Sequence, residues 1–403
     1  MTAVGAERIT SAEQARSVAA RLAAEFAPGA ARRDRDRELP YAEMDRLAAS
    51  GLLATTVPAT LGGADLAPSD LAEVVRLLAV ADPNIAQIPH SHFVYVNLLR
   101  LAGSEEQQRR YLGQVLEGAR IANAQSERGG ATVAEISTTV RPVDDGKFRV
   151  DGVKYYCTGS LFADLLAVLT RLDDPDDRSD LPPGQYIVYL PADTPGVEIV
   201  DDWNGIGQRT TGSGTVVFDG VLVDHDQLVH RSPAVDAPTA YGAFAQLLHT
   251  AIDTGIARGA LTAAVDFVRN KSRPWFEAGV ERAIDDPLVV QRFGELAVTV
   301  TAAEAALDRA GAAVDSARDT PAEVGEASIA VATAKVLADR AAMEVSSALF
   351  EVSGTRSAAA ELNLHHFWRN ARTHTLHDPV RWKYQHIGRS LLHGTPPPLH
   401  GVI

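Results

Sequence analysis

Residues 321–354 read PAEVGEASIAVATAKVLADRAAMEVSSALFEVSG, and this run determines the architecture expected for the C-terminal half of the chain. The run is long and alanine-rich, and its apolar residues recur at helical spacing. Three further segments share this pattern, at 241–270, 287–317 and 358–377. Four such helices predict a four-helix bundle at 233–403. Its last residues, which include three consecutive prolines, are expected to form an extended tail from Leu391.

The residues before the bundle have a different character. Short runs rich in β-branched and aromatic residues are separated by turn sequences such as Asp-Gly. These runs lie at 138–141, 147–150, 165–169, 186–190 and 215–218. They predict a small β-barrel or sandwich over 119–232, whereas 1–118 is typical of helices. The expected fold class is therefore α+β and mainly α, with an N-terminal helical domain, a central β-domain and a C-terminal bundle.

Composition limits the kinds of protein this can be. The chain has 403 residues and a net charge of −14, which does not favour a nucleic-acid partner. A single cysteine, Cys157, excludes an intramolecular disulfide and is typical of a reducing compartment. The N-terminus lacks the order of a signal peptide, and no apolar run reaches the roughly 18 residues needed to span a bilayer. We therefore expect a soluble cytoplasmic protein without membrane contact.

Residues 369–379, RNARTHTLHDP, concentrate side chains suited to proton chemistry. Helical spacing predicts that His374 and His377 share one buried helix face, one turn apart. Histidine takes up and releases protons near neutral pH, so this pair is a candidate site. A structural role, with bonds to the backbone or to Asp378, is the alternative. No metal site is expected, because two histidines at this spacing have no third ligand at a recognisable distance in the sequence.

The order of the three domains resembles the acyl-CoA dehydrogenase fold, and several motifs extend the resemblance over nearly the whole chain. Residues 124–127 stand where that family has its flavin-contacting strand and loop, and 154–159 where it has an aromatic residue and a threonine beside the flavin ring. Residues 205–211 resemble the strand before the linker to the bundle. Residues 367–370 and the two histidines are similar to one branch, the flavin-dependent monooxygenases typified by dibenzothiophene monooxygenase and the sulfur-acquisition oxygenases.

The candidate base separates this branch from true dehydrogenases. Most acyl-CoA dehydrogenases use a late glutamate to remove an α-proton from the thioester. The resemblance aligns His377 with that glutamate and Ala245 with the earlier position that some members use. Since neither residue is a carboxylate, ordinary dehydrogenation is not expected.

A monooxygenase is the implied activity, in which reduced flavin and O₂ give a flavin C4a-hydroperoxide whose distal oxygen passes to sulfur. Three alternatives stay open: N-hydroxylation by the same fold, a dehydrogenase with a displaced base, and a non-catalytic flavin- or acyl-CoA-binding protein.

The resemblance implies catalytic roles for five side chains: His377, His374, Asn123, Thr158 and His92. The two late histidines would protonate or hydrogen-bond the peroxide, and Asn123 and Thr158 would bond to it or to the ring. His92 falls in the substrate region, although a buried structural histidine fits this position equally well. Its neighbour His90 is expected to be exposed.

Six side chains are implied to bind the flavin: Asn123, Ser126, Thr158, Trp203, Arg273 and Arg356. The two arginines match positions that hold the flavin phosphate, which suits a guanidinium fork. A core tryptophan at Trp203 and arginines that pair across a subunit interface are the alternatives.

The resemblance also implies the cofactor and the partners. Related enzymes take FMN, so FAD is the second choice. No Gly-x-Gly-x-x-Gly follows a strand, so no NAD(P)H site is expected. The resemblance therefore implies a separate NAD(P)H:flavin reductase that delivers reduced FMN, together with O₂, a small-molecule substrate and assembly as a homotetramer.

Overall fold

The computed structural model describes residues 6–129, 132, 135–400 and 403, and in them the chain forms a helical, a β and a second helical part in the predicted order. Ser11 caps the first helix, where its side chain accepts a hydrogen bond from the backbone of Gln14. The N-terminal helices are α1 (Ala12–Asp36), α2 (Tyr41–Ala49), α3 (Pro68–Ala81), α4 (Pro83–Gln87), α5 (His90–Ala102) and α6 (Glu105–Leu116). None of the helices in the described part of the chain is long and apolar enough to cross a membrane.

The β-part is one curled sheet, in which each predicted run overlaps a strand. The described strands are β1 (Ile121–Ala124), β2 (Thr139–Pro142), β3 (Lys147–Lys154), β4 (Leu165–Leu172), β5 (Gln185–Pro191), β6 (Val197–Val200), β7 (Thr215–Asp224) and β8 (Leu228–His230). Their order is β6-β7-β3-β2-β4-β5-β8, and β1 pairs in parallel with β4. Alternation along β1 buries Ala122 and Ala124 and leaves Asn123 partly exposed at the sheet edge.

The strand predicted at 205–211 is wrong. This segment is an irregular connection between β6 and β7 that packs against a later helix. A Cβ on Gly207 would lie 1.9 Å from the carbonyl oxygen of Arg369, so only glycine fits there. Gln208 follows with a φ of +49°. Close packing of backbone on backbone therefore replaces strand pairing in this segment.

The C-terminal part contains the predicted bundle. Its helices are α7 (Ser232–Val235), α8 (Tyr241–Asn270), α9 (Pro287–Ser316), α10 (Pro321–Ser353), α11 (His366–His374) and α12 (Val380–His393). α8, α9 and α10 match the predicted segments to within one residue. α8 lies at the centre, packed by α3, α9 and α10, and is buried along most of its length. A helix buried on all sides places its few polar side chains inside the protein.

The fourth bundle helix was predicted with the wrong extent, at 358–377. Two short 3₁₀ turns precede α11, and Asn363, which follows the second of them, has a φ of +47°. α11 ends at His374, and Pro379 disfavours helical backbone at Asp378, so the helix does not continue into α12. The tail prediction is also wrong in part, since α12 continues to His393. The extended tail then packs on the same chain, where a Cβ on Gly242 would lie 2.8 Å from the carbonyl oxygen of His400.

Candidate active site

The corner between α4 and α5, residues 87–92, is the centre of the candidate site. Gln87 Oε1 lies 3.1 Å from His374 Nε2, which ties the corner to the end of α11. Ser91 donates to Asn123 Oδ1 at 3.1 Å, which ties it to β1. Two residues that the sequence placed in the site from distant segments therefore meet at this corner.

Thr158 lies against the same corner. The next residue, Gly159, has a φ of +83°, and a Cβ there would lie 3.1 Å from the carbonyl oxygen of Ile88. Thr158 Oγ1 lies 2.8 Å from Ser213 Oγ, which lies 2.7 Å from Thr211 Oγ1. These hydroxyl groups form a hydrogen-bonded row between the sheet and the corner.

Trp203 is linked to this row of hydroxyl groups through the backbone of Gln208. Its Nε1 donates to the carbonyl oxygen of Gln208 at 2.7 Å, and the same oxygen accepts from Thr211 Oγ1 at 2.9 Å. The indole meets the ring of Tyr156 edge-on, with 6.2 Å between centroids. Tyr156 is 49% exposed, so the pair forms an open aromatic edge beside Thr158.

Ser126 follows Asn123 along the sheet edge. Its carbonyl oxygen accepts from the backbone N–H of Tyr155 at 2.8 Å, and its side chain is exposed. The guanidinium of Arg128 lies over the Tyr155 ring, 4.4 Å from its centroid. Ser126 therefore lies at the open side of the site.

Four histidines, His90, His249, His374 and His377, form what we call the histidine cluster. The His249 ring lies between His90 and His377, with centroids 3.8 Å and 3.9 Å away. His249 Nδ1 lies 3.1 Å from His374 Nε2. His90 Nε2 donates to the carbonyl oxygen of Ala245 at 3.0 Å.

Two predictions about this cluster are wrong. His377 does not share a buried helix face with His374, because α11 ends first and His377 lies in the following turn with its side chain 45% exposed. His90 is buried rather than exposed. Burial lowers the pKa of His90 to about 3, so it is a neutral imidazole at physiological pH.

His249 was not predicted from the sequence. One signal for it existed: His249 and Asp253 stand four positions apart in an otherwise apolar helix, a spacing that places them on one face. Burial, followed by the neighbouring imidazoles, lowers the pKa of His249 well below its ordinary value.

A buried ionic group supports the cluster. His374 Nδ1 lies 2.6 Å from Asp253 Oδ1, and Lys335 Nζ donates to the other oxygen of Asp253 at 2.9 Å. Burial alone would raise the pKa of Asp253, but the charges of His374 and Lys335 outweigh it and lower that pKa. Asp253 is therefore ionised and can only accept, so His374 carries a proton on Nδ1.

Among the described residues, two carboxylates contact the histidine cluster, and each forms an ion pair with a lysine. Asp253 is bound by Lys335, and Asp378 Oδ2 lies 2.7 Å from Lys383 Nζ. His377 and Ala245, which the resemblance implies for the two base positions, are not carboxylates. The described ranges contain no group of three or more metal-ligating side chains with suitable geometry.

The structure does not bring His92 into the cluster. Its Nε2 donates to the carbonyl oxygen of Leu53 at 2.8 Å, and its Nδ1 accepts from the backbone N–H of Ile121 at 3.1 Å. Burial lowers its pKa to about 4. With both nitrogens bonded to backbone, the geometry favours the structural alternative, and His90 takes the place at the cluster.

Arg273 and Arg356 lie far from the cluster. Both are exposed and stand just beyond the ends of α8 and α10, where Ser272 Oγ donates to the carbonyl oxygen of Ser353 at 3.1 Å. The structure thus brings the two arginines to the same end of the bundle. The last residue of α8 stands 21 positions after His249. That is about 32 Å along the helix.

Comparison with known proteins agrees with this geometry. Residues 10–119, 122–221 and 247–382 match the models of the N-terminal, middle and C-terminal domains of acyl-CoA dehydrogenases. The chain therefore belongs to the acyl-CoA dehydrogenase family, which confirms the predicted fold class.

The relatives that share about a third of this sequence include monooxygenases. The chain is 33% identical over 394 residues to a dibenzothiophene monooxygenase of Rhodococcus qingshengii, covering 94% of each protein. It is 32% identical to the probable FMNH₂-dependent monooxygenase SfnC of Pseudomonas putida, covering 94% of this chain and 95% of that one. The crystal structure of FMN-bound TdsC from Paenibacillus sp. A11-2 superimposes with a TM-score of 0.89 and 34% identity, covering 96% of this chain and all of the other. The predicted monooxygenase branch is confirmed.

Proposed function

We propose that this protein is the oxygenase of a two-component system. It receives reduced FMN from a separate NAD(P)H:flavin reductase and transfers one oxygen atom of O₂ to the sulfur of a small organosulfur or aromatic heterocyclic compound. The monooxygenase relatives and their FMN support the activity and the cofactor. We further propose that it acts in the cytoplasm as a homotetramer.

The histidine cluster is the observation that carries this proposal. A dehydrogenase needs an unpaired carboxylate against the substrate, and the carboxylates in contact with the cluster are held by Lys335 and Lys383. Imidazoles instead suit the hydrogen bonding and protonation of oxygen. The half-exposed His377 is the member of the cluster that we assign to hold the reacting oxygen.

The residues around the corner 87–92 fit a flavin ring. Among the described residues, Asn123 Nδ2 has no hydrogen-bond partner, so it can donate to a ring carbonyl. Both side-chain polar atoms of the buried Gln208 are also without partners in the described structure. Unpaired buried amides of this kind are typical of a ligand or bound water. Thr158, Ser126 and Trp203 would complete the ring contacts, and FMN bound there in its reduced form would supply two electrons to O₂.

We further propose that the phosphate of the same FMN is bound by the two arginines of a second copy of the chain. Arg273 and Arg356 are far from Asn123 and Thr158 of their own chain, because α8 separates the two ends of the bundle. Exposed apolar side chains on α9, such as Leu288 and Val298 at 75% and 70% exposure, supply a surface for such a neighbour. This arrangement makes the oligomer part of the cofactor site.

Product analysis tests the activity. The purified protein is mixed with FMN, NADH, a flavin reductase and ¹⁸O₂, and separately with thioethers, aromatic heterocycles and amines. We expect a sulfur-containing product that carries one ¹⁸O atom. Products from amines alone would show an N-oxygenase, and anaerobic bleaching of bound flavin by an acyl-CoA would show a dehydrogenase; either result overturns the proposal.

Subunit mixing tests the shared cofactor site. Arg356→Ala and Asn123→Ala are each expected to weaken FMN binding at least tenfold. Co-refolded hybrids, assayed at an FMN concentration too low to load either variant alone, would contain some sites with both residues intact, so activity should reappear. A monomeric protein, or hybrids as inactive as their parents, would contradict the shared site.

A further inference from the structure

The contacts between Asp253, His374 and His249 define a path for one proton. His374 Nδ1 donates to the ionised Asp253 and keeps its proton. Nε2 of His374 is therefore the nitrogen that can gain or lose a proton. Nε2 lies 3.1 Å from both His249 Nδ1 and Gln87 Oε1. A protonated His374 donates to these acceptors through Nε2, and a neutral His374 accepts there from His249 Nδ1–H. Both protonation states of His374 are therefore satisfied by the same neighbours.

His249 is placed to pass this proton onward. It is 1% exposed, and Nδ1 is the ring nitrogen that faces His374. Among the described residues, its Nε2 has no hydrogen-bond partner. Stacking of the ring between His90 and His377 holds it in this orientation. His249 thus has one ring nitrogen bonded to His374 and a second that has no partner among the described residues.

We propose that Asp253, His374 and His249 form a relay that carries a proton from His374, through His249, into the oxygenation site. Asp253 is a positioning residue, because its carboxylate fixes the Nδ1 proton of His374 and stabilises the imidazolium. His249 takes the Nε2 proton of His374 on its Nδ1 and releases its own Nε2 proton to the site. Asp253 stays ionised throughout.

The relay rests on the proposed oxygenation, which takes up one proton per turnover. Of the four electrons that O₂ accepts, two come from the reduced flavin anion and two from sulfur. One oxygen atom forms the bond to sulfur, and the other leaves as water. One hydrogen of this water comes from the reduced flavin, and the second is the proton that the relay supplies.

The charged and titratable groups around the relay come from every neighbouring element. Burial and the charge of Asp253 raise the pKa of Asp339, which lies next to Lys335 at the outer end of the relay. The groups that face the relay are His90 on α5, Lys335 and Asp339 on α10, His377 and Asp378 after α11, and Lys383 on α12.

The first test uses the flavin-free protein. Solid-state ¹⁵N NMR of histidine-labelled protein, with His374→Gln to identify the signals, should show a proton on Nδ1 of His374, the nitrogen that faces Asp253. In Asp253→Asn the amide oxygen is held by Lys335, so the amide NH₂ faces Nδ1 and the proton should move to Nε2. A wild-type His374 protonated only on Nε2 would overturn the relay.

The second test measures product formed and hydrogen peroxide released per NADH consumed. His249→Ala should lower the product about 100-fold and raise the peroxide, as for loss of a general acid. Added imidazole should restore part of the product. His366→Ala, which removes a buried imidazole outside the cluster, should keep the wild-type ratio and show no rescue.

The outcomes separate the relay from the proposed function. Wild-type product with an unaffected His249→Ala variant overturns the relay alone. Absence of wild-type product overturns the oxygenase, and the NMR result then decides the Asp253–His374 assignment. If Asp253→Asn fails to fold with Lys335 unpaired, the neutral double variant D253N/K335M replaces it in both tests.

Discussion

His377 differs from the other members of the histidine cluster by its exposure, and this difference sets its expected role. We predict that His377→Ala retains FMN binding but lowers oxygenated product at least about 100-fold, because a side chain that holds the reacting oxygen contributes on this scale. Steady-state product assays and FMN titration check this. Normal turnover in the variant would remove His377 from the mechanism.

At this scale the sequence predicted the polar side chains that lie close to helix ends and strands but not those inside α8. His374, Asn123 and Thr158 were found because their motifs stand in segments that resemble a known family. His249 was missed because a single histidine in an apolar helix is usually structural, and only the fold shows that His374 reaches it. The exposure of His90 was predicted wrongly, since its burial depends on contact with α8.

At the scale of elements, the connection between β6 and β7 is held by backbone contact with α11. Gly207→Ala would push a methyl group into the Arg369 carbonyl oxygen and should lower the free energy of unfolding by about 1–3 kcal/mol. FMN affinity should fall as well, because Trp203 is bonded to the next residue, Gln208.

Gly294→Ala is the matched control for this prediction. Gly294 lies within α9 with no atom within 4 Å of an added Cβ. Alanine there should raise the stability by roughly 0.5–1 kcal/mol through helix propensity. Urea unfolding of both variants measures the difference. Equal effects of the two substitutions would contradict the packing argument for Gly207.

The long helices were predictable and the short ones were not, for a physical reason. α8, α9 and α10 each run for at least 30 residues, so their apolar periodicity is unambiguous. α11 has only nine residues, and its limits depend on local backbone and on Pro379. Residues 205–211 carry no sequence signal for their conformation, because the contact that determines it is with α11.

For the whole molecule, buried histidines make the free energy of unfolding depend on pH. Burial lowers the pKa of His90 to about 3 and the pKa values of His92 and His366 to about 4, from an ordinary 6.5. The unfolded chain then binds more protons, so each histidine lowers the free energy of unfolding as the pH falls below 6.5. Asp339, whose pKa is raised, acts in the opposite direction between about pH 8 and 4.

Replacing one histidine, His366, separates its contribution to this pH dependence from the opposing effects. Between pH 7.5 and 5.5, one histidine protonated only in the unfolded chain contributes a loss of about 1.4 kcal/mol. We predict that His366→Gln is less sensitive to this pH change than the wild type by that amount. Urea unfolding at the two pH values checks it. Parallel pH dependences for the two proteins would show that His366 is not buried as a neutral imidazole.

The sequence by itself determined the order of domains, the three long helices and most strands. These features depend on local periodicity and on residue identity, which the chain carries directly. The tertiary structure alone decided that His90 and His249 join His374 and His377, that His92 is bonded to backbone, and that the two arginines lie at the far end of the bundle. Each of these depends on distances between segments far apart in the sequence, which only packing establishes.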